Sequence, residues 1–344
     1  MTDETNGQDP GTPSQSKGLG RRWVFGKDVS SWPMQKVAHA AQRKAELESR
    51  ISLWTAGFPI ETESTLSEDR RKWETRLRVH VEPPSQEWSL ILGDLLYSLR
   101  SALDACVWEF AHMDGATPRK PKLVQFPVVR DRADWGKALR ERLQSVPREV
   151  AERIEMVQPF NRPPEQVAVD PLVLLSELNN MDKHCASISV SVDPHGIQQN
   201  VSVTFDSEEA SERNAPPNIT YHFPGLADQA LVVEACFVDP AREVRGGVTV
   251  GMRVTAETPI GKEGIGVLGG GLVQNVRDVL NFIAVGPPSP EELAEMNSQN
   301  DGEWLPLDIQ ADDSGRTFTT GARQDDSRQT PQQPVIERGE MEQP

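Results

Sequence analysis

The chain has 344 residues, a hydrophobic content of 37%, 27 prolines and a formal net charge of −16. No stretch approaches the ~18 consecutive apolar residues of a membrane-spanning helix, and the acidic balance argues against a general nucleic-acid binder. Low hydrophobicity with abundant proline predicts disordered ends, residues 1–28 and an acidic tail at 287–344. That tail holds thirteen acidic and four basic residues, so it supplies −9 of the formal charge and leaves the body only mildly acidic.

Trp32–Ala56 has apolar residues at three- and four-residue spacing, with Pro33 in the first turn and Gly57 beyond the end, which predicts a helix. After a polar loop, Lys72–Val81 alternates Trp73, Thr75, Leu77, Val79 and Val81 with charged residues, the pattern of a half-buried strand. Pro83-Pro84 breaks it and Ser85 is placed to cap the next helix, Ser85–Gly115. On a helical wheel this stretch sorts into two faces. Trp88, Ile91, Leu92, Leu95, Leu96, Leu99, Ala102, Leu103, Cys106 and Phe110 make an apolar side. Gly93, Asp94, Tyr97, Arg100, Ser101 and Asp104 make a polar stripe. Around this helix the rest of the chain is expected to organise.

Shorter helices are predicted at Ala133–Leu143, Pro147–Val157 and, opened by Asp170-Pro171, at Leu172–Lys183. Beyond residue 185 the style changes. Ala186–Val192, Val201–Phe205, Ile219–Phe223, Leu231–Val238 and Gly247–Ala256 alternate in period two, as antiparallel strands do. A last helix, about Leu272–Ala284, is expected to cover one sheet face. The fold class is α+β. The domain reading is a disordered 1–28, a helical region with one strand at 29–185, an antiparallel sheet with a terminal helix at 186–286, and the acidic disordered tail at 287–344.

Two constellations stand out. Within the central helix, Asp94, Tyr97, Arg100, Ser101 and Asp104 are neighbours at three- and four-residue spacing, and Arg100 with Asp104 is an i,i+4 ion pair. A mid-helix glycine costs ~1 kcal/mol against alanine, so Gly93 predicts the close approach of another element. The second constellation is Asn179, Asp182, Lys183 and His184. Asp182 falls on the apolar side of its helix, and an inward carboxylate needs a partner. Arg100 is the natural candidate, with His184 close by. The alternative is a helix end where Lys183 and His184 complement the dipole.

Other patterns carry less. Gly264-Ile265-Gly266-Val267-Leu268-Gly269 matches GxGxxG, but no βαβ unit surrounds it, and it reads as a flexible loop with a glycine-rich helix start. Six histidines form no close ligand pair, so neither metal nor cofactor is expected. Cys106, Cys185 and Cys236 form no CxxC motif and suggest reduced thiols and a cytoplasmic location, with Cys106 as core filling. The basic runs Arg70–Lys72 and Arg119–Lys122 read as solvated surface, with phosphate binding left open.

Gly93–Asp104 resembles a GD-x-LHNLRSALDH helix of uncharacterised bacterial and phage proteins. Leu178–His184 resembles their LN-x-x-DKHR segment, and Gln125-Phe126-Pro127 and Gln158-Pro159-Phe160 resemble the words between them. The arginine-to-histidine spacing of that helix is in turn similar to the signature of HEPN-type helical ribonucleases, in which an arginine and a histidine act on RNA, often across a dimer. Arg100 matches the arginine, whereas Tyr97 and Ala105 stand where the histidines fall. The resemblance therefore implies Arg100 and His184 as the catalytic pair of a metal-independent RNase or phosphodiester hydrolase, with RNA as partner. The reading preferred from the residues is a non-catalytic binding or interaction module, with homodimerisation through the central helix as a candidate contact.

Overall fold

The computed structural model describes residues 31–184, 188–216, 218–286, 308–311 and 317–320. Two long helices form the frame, α1 (Trp32–Ala56) and α2 (Ser85–Ala111). They run antiparallel, because Arg50 pairs with Glu87 at one end while His39 meets Ser98 further along. Every member of the apolar side of α2 is buried, and Trp88, Leu92, Leu95, Leu96, Leu99 and Leu103 are wholly so. Full burial of one such side chain stabilises by ~1.5–3 kcal/mol, which makes α2 the spine of the larger core. Cys106 is buried there as core filling. Burial, and secondarily the nearby Glu109 carboxylate, pushes its thiol far above the ordinary range.

Around α2 pack α3 (Trp135–Arg142), α4 (Arg148–Met156), α5 (Pro171–His184) and α7 (Ile265–Val285). A short α6 (Glu208–Arg213) links two strands. Helix α7 starts at Ile265, seven residues before the expected start. The glycine-rich stretch is thus helical, since Ile265, Leu268 and Gly269 are buried and a methyl group on Gly269 would make only ordinary contact with Leu95 and Lys44. Tertiary burial outweighs the weak helix propensity of glycine.

The remaining chain forms two antiparallel sheets. One has the order β1 (Ile60–Leu66), β2 (Lys72–Val79), β5 (Leu231–Cys236), β4 (Asn218–Tyr221). The other has the order β3 (Val190–Thr204), β6 (Glu243–Thr258), β7 (Gly261–Gly264). Trp73, Leu77, Val232, Val233, Ala235, Phe237 and Val248 fill a second core, with Ile197, Val201 and Val203 packed against it. The polar loop expected before Lys72 is in fact strand β1. The two runs expected at 186–192 and 201–205 are one strand, broken by a register shift between Pro194 and Ile197; Pro194 is tolerated there because β3 is an edge strand.

Strand β2 pairs with β5, Trp73 opposite Ala235, so segments far apart in sequence complete one sheet. The α+β class holds, with helices leading and antiparallel strands following. Residues 1–28, read as disordered, lie outside the described residues. So does most of 287–344, where the backbone of a small hairpin, β8 (Asp308–Ala311) with β9 (Thr317–Thr320), is described.

Candidate functional site

The polar stripe of α2 is best built from the segment it faces. Gln125-Phe126-Pro127 is irregular, yet the Phe126 side chain is fully buried, which carries its main-chain polar groups into the protein. Such groups need partners. Arg100 Nη2 donates to the Phe126 carbonyl at 2.6 Å and to Asp104 Oδ1 at 2.9 Å. Asp104 Oδ1 also accepts the Phe126 N–H at 2.9 Å. One ion pair thus holds both main-chain groups of one residue. The Arg100 side chain retains 11% of its exposure and that of Asp104 35%.

The same device recurs nearby. Buried Gln158 accepts the Val129 N–H at 3.0 Å and donates to the Ile154 carbonyl at 3.0 Å. Buried Asp170 accepts the Leu172 N–H at 2.9 Å and pairs with Arg162, which fixes the start of α5. On α4, buried Arg153 donates from Nη1 to the Ile283 and Ala284 carbonyls, both at 2.9 Å, and pairs with Glu149. The carbonyls at a helix C-terminus lack intrahelical donors, so Arg153 closes α7.

Helix α5 lies over the glycine of the stripe. A Cβ on Gly93 would fall 2.9 and 3.0 Å from the two carboxylate oxygens of Asp182. The close approach expected at Gly93 is therefore that of Asp182. One turn on, the Lys183 ammonium sits 5.2 Å from the Tyr97 ring centre, a cation–π contact. Asn179 is buried on the same helix and Ser101 is half-buried on α2, while Asp94 is exposed.

The expected meeting of Arg100 with Asp182 does not occur. Gly93 and Arg100 are two turns apart, ~10 Å along the axis, and the guanidinium turns toward Phe126. Asp182 is half-buried rather than enclosed, which leaves part of its carboxylate to water. His184 closes α5, but its side chain, like Cys185, lies outside the described residues.

The other side of α2 is polar in a different way. Buried Ser98 donates to the Asp94 carbonyl at 2.7 Å, which uses its one proton, so Nδ1 of His39 is the donor across the 3.0 Å contact with Ser98 Oγ. Between the α1 and α5 flanks, α2 leaves Leu90, Tyr97 and Trp108 exposed at 69%, 54% and 45%. His112 stacks on Trp108 with ring centres 4.1 Å apart. Glu109, one residue on, is raised above the usual carboxylate range by burial, offset in part by the Trp32 N–H.

Chemically, the described hydrogen-bond partners of the Arg100 guanidinium are a carboxylate and a main-chain carbonyl, which tie it to the Phe126 segment. Among the described residues, no group of three or more His, Cys, Asp and Glu side chains could hold a metal ion, and no helix is long and apolar enough to cross a membrane. A depression of about 360 Å³ lies elsewhere, between β1 and β6, lined by Ile60, Thr62, Val248, Val250 and Met252 among others. Thr62 Oγ1 donates to the Val248 carbonyl across it at 2.6 Å.

Sequence reasoning missed Gln158, Arg153 and the role of the Phe126 main chain. A signal existed for Arg153, which follows Val150 by three residues on α4 and so lies at the border of its buried face. In comparisons with protein-family models, with curated proteins and with solved structures, nothing matches the chain.

Proposed function

We propose that the protein is a non-catalytic interaction module, cytoplasmic in location, which engages a partner through the open face of α2. The observation that supports this reading is the stripe Leu90, Asp94, Tyr97, Ser101 and Trp108. It leaves large apolar side chains in water on the best-packed helix of the molecule, where burial would otherwise be favourable. Arg100, which with His184 suggested catalysis, is engaged with Asp104 in holding Phe126.

The charge of the face narrows the partner. An antiparallel second copy of α2 centred on this stripe would set Asp94 against the other copy's Asp104, a like-charge contact. A partner helix or loop with apolar and cationic side chains fits better. The competing reading is a HEPN-like, metal-independent RNase using Arg100 and His184. The test is cleavage of single-stranded RNA in chelator by wild type, Arg100→Ala and His184→Ala. No cleavage above buffer by wild type is the expected result. Cleavage by wild type that both variants lose would replace the interaction reading with the enzymatic one.

A further inference from the structure

Most arginines of this surface are in ion pairs, among them Arg43, Arg50, Arg76, Arg78, Arg130, Arg132 and Arg213. One face departs from the rule. Arg119, Lys120 and Lys122 lie around the turn Pro121–Leu123, and Lys137, Arg140 and Arg142 lie on α3. The two groups adjoin, because Gln144 Oε1 accepts the Lys120 N–H at 3.0 Å and the Arg142 carbonyl accepts the Gln125 N–H. None of the six forms an ion pair with a described residue, and all but half-buried Arg142 are exposed. Residues 119–142 hold eight basic and three acidic residues, a formal +5 in a chain of −16. Leu123 and Leu139, 40% and 39% exposed, lie among the cations.

The complement is in the same chain. Arg153 of α4 fixes the end of α7, so the backbone leaves Gly286 beside the helix that follows α3. From Glu291 to Asp313 come eight carboxylates and no Lys or Arg, interspersed with Leu293, Met296, Trp304 and Leu305. Glu291 is five residues past Gly286 and Glu303 seventeen, a covalent reach of up to ~17 and ~56 Å at ~3.3 Å per residue. α3 itself is only ~12 Å long.

We propose that the face formed by Arg119, Lys120, Lys122, Lys137, Arg140 and Arg142 is a docking surface for a carboxylate-rich segment, and that its occupant is Glu291–Asp313 of this chain. Linkage through Gly286 gives the segment a high effective concentration at the face, and the attraction is of the kind that salt screens. Polyanions such as single-stranded RNA then meet a face already neutralised, in keeping with the net acidic chain.

The full-length protein tests this by carbodiimide crosslinking and mass spectrometry of the monomer band. Crosslinks from Lys120, Lys122 or Lys137 to Glu291, Glu292, Glu295, Asp301 or Glu303 are expected at low salt, and their loss at 1 M salt, where the Debye length is only about 3 Å. A full-length variant with Glu291→Gln, Glu292→Gln, Glu295→Gln, Asp301→Asn and Glu303→Gln should lose them and bind a labelled RNA oligomer roughly tenfold more tightly than wild type. Adding Lys120→Glu, Lys122→Glu and Lys137→Glu should abolish that gain. Crosslinks confined to dimers, or to other carboxylates, would overturn the assignment. So would equal RNA binding by wild type and the tail variant, which would make the face a nucleic-acid surface instead.

Discussion

In the helical layer, two arginine side chains go inside. Arg153 is buried against the last carbonyls of α7, and Arg100 is nearly so against Phe126. In the sheet layer, the cations of β2 stay outside: Lys72 bridges Glu74 and Glu234, and Arg78 bridges Glu63, with their side chains 44% exposed. The difference follows from the backbone. A sheet satisfies most of its own main-chain groups through ladders, so few carbonyls are left for its side chains, and those that are, such as that of Gln229 bonded by Arg76, are met at the surface. The helical layer contains helix ends and irregular segments whose polar groups reach the core, and long forked side chains are what can reach them.

The comparison predicts a ranking of losses. The largest is expected for Arg153→Met, which leaves the Ile283 and Ala284 carbonyls unpaired; ~3 kcal/mol should be lost in a urea titration. Arg100→Ala comes next, at ~2 kcal/mol, because the Phe126 carbonyl loses its donor and Asp104 its counter-ion. Arg100→Lys should restore only part of the loss, since both bonds leave from Nη2 at the tip of the arginine and the lysine ammonium sits on a shorter side chain. Equal stability of wild type and Arg100→Ala would show that the clamp is dispensable.

A smaller effect is expected at Gly93. Alanine there must displace Asp182 and should cost ~1 kcal/mol, against the usual helix gain. Asp182→Ala in the same chain should remove the cost, and a double-mutant cycle showing no coupling would refute the contact.

The smallest effect belongs to the sheets and is read from the slope of stability in acid. Burial pushes the Asp193 carboxyl up, but the hydrogen bonds from Lys262, Thr255 and Ser191 outweigh it and hold the group below the ordinary range. A carboxyl lowered by folding stabilises above its unfolded value and ceases to do so as pH falls through the folded one. The contribution is therefore complete above pH ~4 and lost below it. Asp193→Asn should lower stability slightly at neutral pH and flatten the stability slope below pH ~4; an unaltered acid slope would remove Asp193 from this role.

Much of the fold was legible because periodicity reports burial directly. The two faces of α2, the bounds of α1 and the alternation of β2 all follow from which side chains meet the core. Strand β1 was not legible: Glu61, Glu63, Ser64 and Thr65 show no apolar alternation, since an edge strand is held by its neighbour rather than by its own side chains. The site was half legible. Gly93 announced a close neighbour, and Asp182 proved to be it. That Arg100 would bond a main-chain carbonyl 26 residues on could not be read, because every residue carries the same carbonyl and only the three-dimensional path shows which one lacks a donor.

The pairing of β2 with β5 has a consequence in time. At ~5–20 residues per second of synthesis, the 151 residues between Val79 and Leu231 take on the order of 10–30 s to appear. Throughout that interval the β1–β2 hairpin presents Trp73 and Leu77 and one open hydrogen-bonding edge, with the strand that will cover them still inside the ribosome or not yet made. Folding of the sheet layer is thus a late, long-range event, and the nascent chain is most exposed to misassociation at a strand made early.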